Sequence, residues 1–178
     1  MNLANKLTVF RVIMILPFCF FMLSDVAGAA SDWIALAIFI IASLTDLLDG
    51  QIARKRNLVT NFGKFMDPLA DKLLVCTALI LLVELGRIPA WIVVIIIGRE
   101  FVISGFRLIA ADNGVVVAAS YWGKFKTVFQ MVMVGMMIGN LPVLSLLTDI
   151  VMYISLVLAI VSLVDYLIKN KDVMKETK

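Results

Sequence analysis

The chain has 178 residues, of which 62% are hydrophobic and 16% charged, with a formal net charge of +3 and a mean hydropathy of +1.04. A soluble core of this length cannot bury so much apolar surface, so the composition selects an integral membrane protein of one domain, 1–178. The small net charge argues against a nucleic-acid partner, and the absence of His excludes His-rich zinc or non-haem iron sites.

A membrane-spanning helix needs about 20 mostly apolar residues. Six stretches fit: Leu7–Leu23, Trp33–Ala53, Pro68–Leu85, Ile88–Ala110, Gly123–Leu141 and Leu146–Ile168. Cys19 and Cys76 lie in these apolar segments and read as reduced, small hydrophobes. Arg11 precedes a long apolar run without a small-residue cleavage site, so no removable signal peptide is expected. The connecting stretches Ser24–Asp32 and Asn140–Asp149 read as external loops without evident chemistry.

Charge placement orients the spans. With a cytoplasmic N-terminus, all but Arg87 of the 16 Lys and Arg residues fall on or near the cytoplasmic side. Both termini and the stretch 46–71 are then cytoplasmic. Arg11, Asp46, Asp49, Arg99 and Glu100 fall inside spans, where charge is costly and faces polar surroundings. The expected fold is all-α, six transmembrane helices in a bundle with a polar cavity facing the cytoplasm.

Residues 46–71 hold four carboxylates, Asp46, Asp49, Asp67 and Asp71. Asp46, Asp49, Gly50, Ala53 and Arg54 fall at i, i+3, i+4, i+7 and i+8, one stripe of a helix. Asp67 and Asp71 are i and i+4 on a second helix, with room for a turn over 55–64. Side-by-side packing would bring four carboxylates together. One like-charged pair at ~4 Å costs about 4 kcal/mol at an effective dielectric of ~20. The cluster must therefore be protonated, dispersed or neutralised by cations. An all-oxygen donor set suits hard divalent ions such as Mg²⁺, Mn²⁺ or Ca²⁺. Each Asp alone would equally suit polar packing between spans or a proton relay, and Arg54-Lys55-Arg56 also reads as a positive-inside anchor.

The eight residues Asp46, Asp49, Gly50, Ala53, Arg54, Gly63, Asp67 and Asp71 complete the pattern D-x2-D-G-x2-A-R-x8-G-x3-D-x3-D. That pattern resembles the signature of the CDP-alcohol phosphotransferases. The N-terminal Asn5, Leu7, Thr8 and Arg11 match a lead-in common in that family, with Ala4 where many members have Pro. The resemblance implies that CDP-diacylglycerol binds with its pyrophosphate on metal held by Asp46, Asp49, Asp67 and Asp71. It places Asn5, Thr8, Gly50, Ala53, Arg54 and Gly63 along the CDP-lipid. It makes Asp71 the general base and the protein a homodimer; availability and phosphate chemistry favour Mg²⁺ as the metal, and Mn²⁺ fits the same ligands.

A less specific set of residues addresses the acceptor. Gly98-Arg99-Glu100-Phe101, Arg107, Ala110-Ala111, Gly114-Val115 and Gly123-Lys124-x-Lys126-Thr127 resemble the phosphatidylglycerophosphate synthases of the family, which use glycerol 3-phosphate. Arg11, Arg99, Arg107, Lys124 and Lys126 are the candidate ligands of its phosphate, Arg107 and Lys126 foremost. The same basic residues also serve topology, and Arg99 with Glu100 also reads as a structural pair. Two other readings compete: the same chemistry with inositol phosphate or serine as acceptor, and a divalent-cation or proton transporter. A transporter needs polar residues through both leaflets, whereas the intramembrane charges here crowd the cytoplasmic half.

Overall fold

The computed structural model places six α-helices in succession, with no strand among the described residues: α1 (Leu3–Leu23), α2 (Ala30–Lys55), α3 (Asn61–Glu84), α4 (Ala90–Asp112), α5 (Tyr121–Gly139) and α6 (Ser145–Lys169). The structure describes residues 3–24, 26–28, 30–55, 61–112 and 120–171; for 3–6, 46–55, 61–68 and 71 it describes the backbone alone. All six expected helices are present. Among the described residues, Pro142–Lys169 is long and apolar enough to cross a membrane unaided, with a mean hydropathy of 2.3. Leu7–Leu23 and Ala30–Thr45 are shorter apolar stretches. The chain divides into two compact units, Met1–Arg87 with Val134–Leu141, and Ile88–Met133 with Pro142–Lys178.

In the first unit α1 packs along both α2 and α3. Its buried residues Thr8, Arg11, Ile15, Phe18 and Met22 recur at alternating steps of three and four, the seam of a helix packed lengthwise on its neighbours. Phe18 meets Phe39 of α2 with ring centroids 6.1 Å apart. Ala35 and Ala42 on α2, and Ala70 and Ala78 on α3, are buried small residues that permit close helix approach. At the end of α5, Gly135 and Gly139 lie against Leu36, where an added Cβ would come within 3.7 and 3.4 Å of its methyl carbons.

Helix ends follow local chemistry. α3 closes with Gly86 at φ +68, a left-handed residue that suits glycine. Its N–H bonds Val83 O at 2.9 Å, and Arg87 N–H bonds Leu82 O at 2.8 Å, the paired bonds of a Schellman stop. The loop expected through Asp32 ends earlier, because α2 starts at Ala30 and takes Asp32 into its first turn. There a carboxylate faces the positive end of the helix dipole. The loop expected after Asn140 likewise ends at a 3-10 turn, Pro142–Leu144, leading directly into α6.

In the second unit α4 packs on α6. On α4 the buried residues include Ile92, Ile96, Arg99, Ile103, Phe106 and Ala110; on α6 they include Met152, Ser155, Ala159, Ser162 and Tyr166. Both sets repeat in steps of three and four. Phe106 meets Tyr166 edge-on at 5.6 Å, and Ile103 shares their cluster. The seam is therefore apolar for most of its length but carries Arg99 and two serines inside it.

Candidate active site

The acidic signature lies in the first unit. Asp46, Asp49, Gly50, Ala53 and Arg54 fall within α2, which runs unbroken to Lys55, and Gly63, Asp67 and Asp71 fall within α3. The i, i+3 and i, i+4 registers expected for the carboxylates thus hold on continuous helices of one unit. The side chains of these eight residues, and of Asn5, lie outside the described residues. A hard divalent cation fits this donor set, because four carboxylate oxygen sources and no Cys or His stand in the stretch. Among the described residues no other group of His, Cys, Asp or Glu could hold a metal.

Of the N-terminal candidates, Thr8 and Arg11 are buried, at 0% and 1% exposure. They extend the apolar seam of α1 with polar residues toward its N-terminus. A guanidinium so deep in a helix packed on α2 and α3 is spent on function or on an internal partner, not on anchoring to headgroups.

The basic candidates of the second unit form a connected cluster. Arg99 on α4 is 8% exposed. Its Nε donates to Ser162 Oγ of α6 at 3.1 Å, and its Nη1 donates to Glu100 Oε1 at 2.9 Å. Ser162 in turn donates to Ala159 O at 3.0 Å. Lys126 on α5 is 2% exposed, and its ammonium donates to the same Glu100 oxygen. One carboxylate oxygen thus holds two cations, and the trio carries one net positive charge.

Gly123 explains how these groups fit. Ser120 caps α5, its Oγ accepting the Gly123 N–H at 3.1 Å. A Cβ on Gly123 would lie 3.3 Å from Arg99 Nη2 and 3.4 Å from Ser120 Oγ, so glycine leaves the guanidinium its place. Lys126 follows three residues later on the same helix.

Arg107 and Lys124 are exposed. The Arg107 guanidinium sits 5.8 Å from the centre of the Tyr166 ring, a cation–π contact. Tyr166 is 2% exposed, and its hydroxyl has no hydrogen-bond partner among the described residues. The cluster of Arg99 with Lys126 is therefore built in, while Arg107 is held at its edge and Lys124 stands apart. Sequence reasoning paired Arg99 with Glu100 but missed Lys126 as the third member, and missed Ser162 and Tyr166. The available signal was the spacing of seven and four that puts Ser155, Ser162 and Tyr166 on one stripe of a mostly apolar last helix.

Residues 1–161 match the CDP-alcohol phosphatidyltransferase family. The chain is 44% identical, over 98% of its length and 97% of the relative's, to the CDP-diacylglycerol–glycerol-3-phosphate 3-phosphatidyltransferase of Bacillus subtilis (strain 168). It is 40% identical to the protein of the same name from Haemophilus influenzae, covering 93% of this chain and 91% of that one. It is 39% identical to a probable phosphatidylglycerophosphate synthase of Mycobacterium tuberculosis, covering 93% of this chain and 79% of that one.

Proposed function

The chain belongs to the CDP-alcohol phosphatidyltransferase family, and on that premise we propose that it transfers the phosphatidyl group of CDP-diacylglycerol to glycerol 3-phosphate, giving phosphatidylglycerophosphate and CMP. The complete eight-position signature carries the reaction class, and the likeness along nearly the whole chain to relatives named for this reaction carries the acceptor.

Each set of residues has a task in that reaction. Asp46, Asp49, Asp67 and Asp71 would hold Mg²⁺ or Mn²⁺, which when bound supplies positive charge to the pyrophosphate and its departing half. Asn5, Thr8, Gly50, Ala53, Arg54 and Gly63 line the CDP-lipid. The 1-hydroxyl of glycerol 3-phosphate attacks the lipid-proximal phosphorus. A new P–O bond forms, the P–O bond to the CMP phosphate breaks, and CMP leaves with the electron pair. Asp71 takes the hydroxyl proton. Arg11, Arg99, Arg107, Lys124 and Lys126 serve the acceptor phosphate; Arg99 and Lys126 suit it best, being buried cations that meet at one carboxylate, Glu100.

The same reading makes the protein a single domain, multi-pass in the cell membrane of a bacterium, with six crossing helices, both termini and the site cytoplasmic, acting as a homodimer. The charge asymmetry supports the orientation. Purified protein in detergent with labelled CDP-diacylglycerol tests the reaction: label enters phosphatidylglycerophosphate when glycerol 3-phosphate is added. No product with that acceptor, or equal product with inositol phosphate or serine, overturns the assignment.

A further inference from the structure

Lys126 and Arg99 are almost wholly buried, yet the phosphate they are assigned is present for only part of a turnover. A buried ammonium without a counter-charge is strongly destabilising. Something must neutralise it between substrates. Glu100 is a carboxylate in contact with both cations: its Oε1 accepts from Arg99 Nη1 at 2.9 Å and from the Lys126 ammonium. Its side chain is 22% exposed, against 9% for Arg99 and 2% for Lys126, so it stands on the more accessible side of the trio.

We infer that Glu100 is the resident counter-ion of the acceptor-phosphate site, a positioning residue that holds Arg99 and Lys126 together and competes with the incoming phosphate for them. The inference rests on the assignment of these two cations to the acceptor phosphate. These three side chains alone sum to +1, a charge that favours a phosphate dianion. Arg99 is fixed from its other side by Ser162 at 3.1 Å, so its guanidinium keeps its aim when Glu100 yields. The product carries the same phosphate as the acceptor, and competition from Glu100 therefore also helps release it. Binding of the acceptor is weakened for the sake of turnover.

The test uses inorganic phosphate as a competitive inhibitor against glycerol 3-phosphate. Glu100→Gln keeps the acceptor oxygen and removes the charge. It should lower the phosphate Ki and the KM for glycerol 3-phosphate by about fivefold or more, without raising kcat and without moving the KM for CDP-diacylglycerol. Glu100→Asp keeps the charge on a shorter arm, and should lie between the wild type and the Gln variant. A merely structural Glu100 would alter stability and leave both constants in place. An unchanged or raised phosphate Ki in whichever variant folds overturns the inference. If the wild-type protein makes no product from glycerol 3-phosphate, the assignment of the site itself fails, which is a different result.

Discussion

Arg87 binds Asp32 across 55 residues of sequence, its Nη2 donating to both carboxylate oxygens at 2.9 Å. The same guanidinium donates through Nη1 to Met137 O at 3.2 Å and Ile138 O at 3.0 Å, near the C-terminal end of α5. Arg87 follows the glycine stop of α3, and Asp32 lies in the first turn of α2. One side chain therefore ties three helix ends of the first unit. Each charge also meets the favourable pole of a helix, the carboxylate at an N-terminus and the cation at a C-terminus.

Arg87→Ala should cost about 2 kcal/mol, since the pair is about one-fifth exposed, at 19% and 26%, and two carbonyls lose their donor. Thermal unfolding in detergent checks this, with Arg87→Lys expected between wild type and Ala because an ammonium cannot span all four acceptors. A melting temperature unchanged by Arg87→Ala would remove the tie from the account.

Gly123→Ala should separate function from stability. Alanine favours a helix over glycine by up to about 1 kcal/mol, so stability should hold or rise. The added Cβ would press on Arg99 Nη2 at 3.3 Å, and Arg99 is anchored at Ser162 and Glu100. The KM for glycerol 3-phosphate should rise several-fold while that for CDP-diacylglycerol stays put. Steady-state kinetics over both substrates reads this directly.

Tyr166 offers a second split. Its hydroxyl is buried without a partner among the described residues, so Tyr166→Phe should be neutral to within about 0.5 kcal/mol or slightly stabilising. Tyr166→Ala removes the ring that Phe106 packs against and should cost about 3–5 kcal/mol. Tyr166→Leu keeps apolar volume but loses the face beneath Arg107, 5.8 Å away, and should raise the acceptor KM. A destabilised Phe variant would point to a hydroxyl partner.

The helices were legible because apolar runs of the right length mark them, and all six expected stretches lie on helices. The ends were less so. α3 starts at Asn61, upstream of the expected Pro68, because Asn61, Lys64 and Asp67 interrupt the apolar residues of its first turns and an apolar-run criterion skips them. α5 starts two residues before Gly123 because Ser120 caps it, a local hydrogen bond that hydropathy does not see. The acidic signature was fully legible as a pattern of residue types at fixed spacing. Arg87, the exception to the charge asymmetry, gave no hint of its partner. Asp32 is one carboxylate among several, and only the fold brings the two together. Glu100 and Lys126 are likewise 26 residues apart.

Asp71→Asn should lower turnover by at least about 100-fold while CDP-lipid binding remains measurable, and Asp46→Asn should lower the rate and raise the concentration of metal needed. Activity titrated with Mg²⁺ distinguishes the two: excess metal should recover part of the Asp46→Asn rate but not that of Asp71→Asn, because Asp71 is assigned the proton as well as the metal. Near-normal turnover in Asp71→Asn would withdraw its role as base.

One reaction mixture decides both the acceptor and the need for metal. The purified protein receives CDP-diacylglycerol with glycerol 3-phosphate, inositol phosphate and serine together, with and without EDTA, and lipid products are weighed by mass spectrometry beside released CMP. The account predicts phosphatidylglycerophosphate as the sole new lipid, CMP in equal amount, and neither when EDTA is present. A different lipid product, or turnover that survives EDTA, would contradict it.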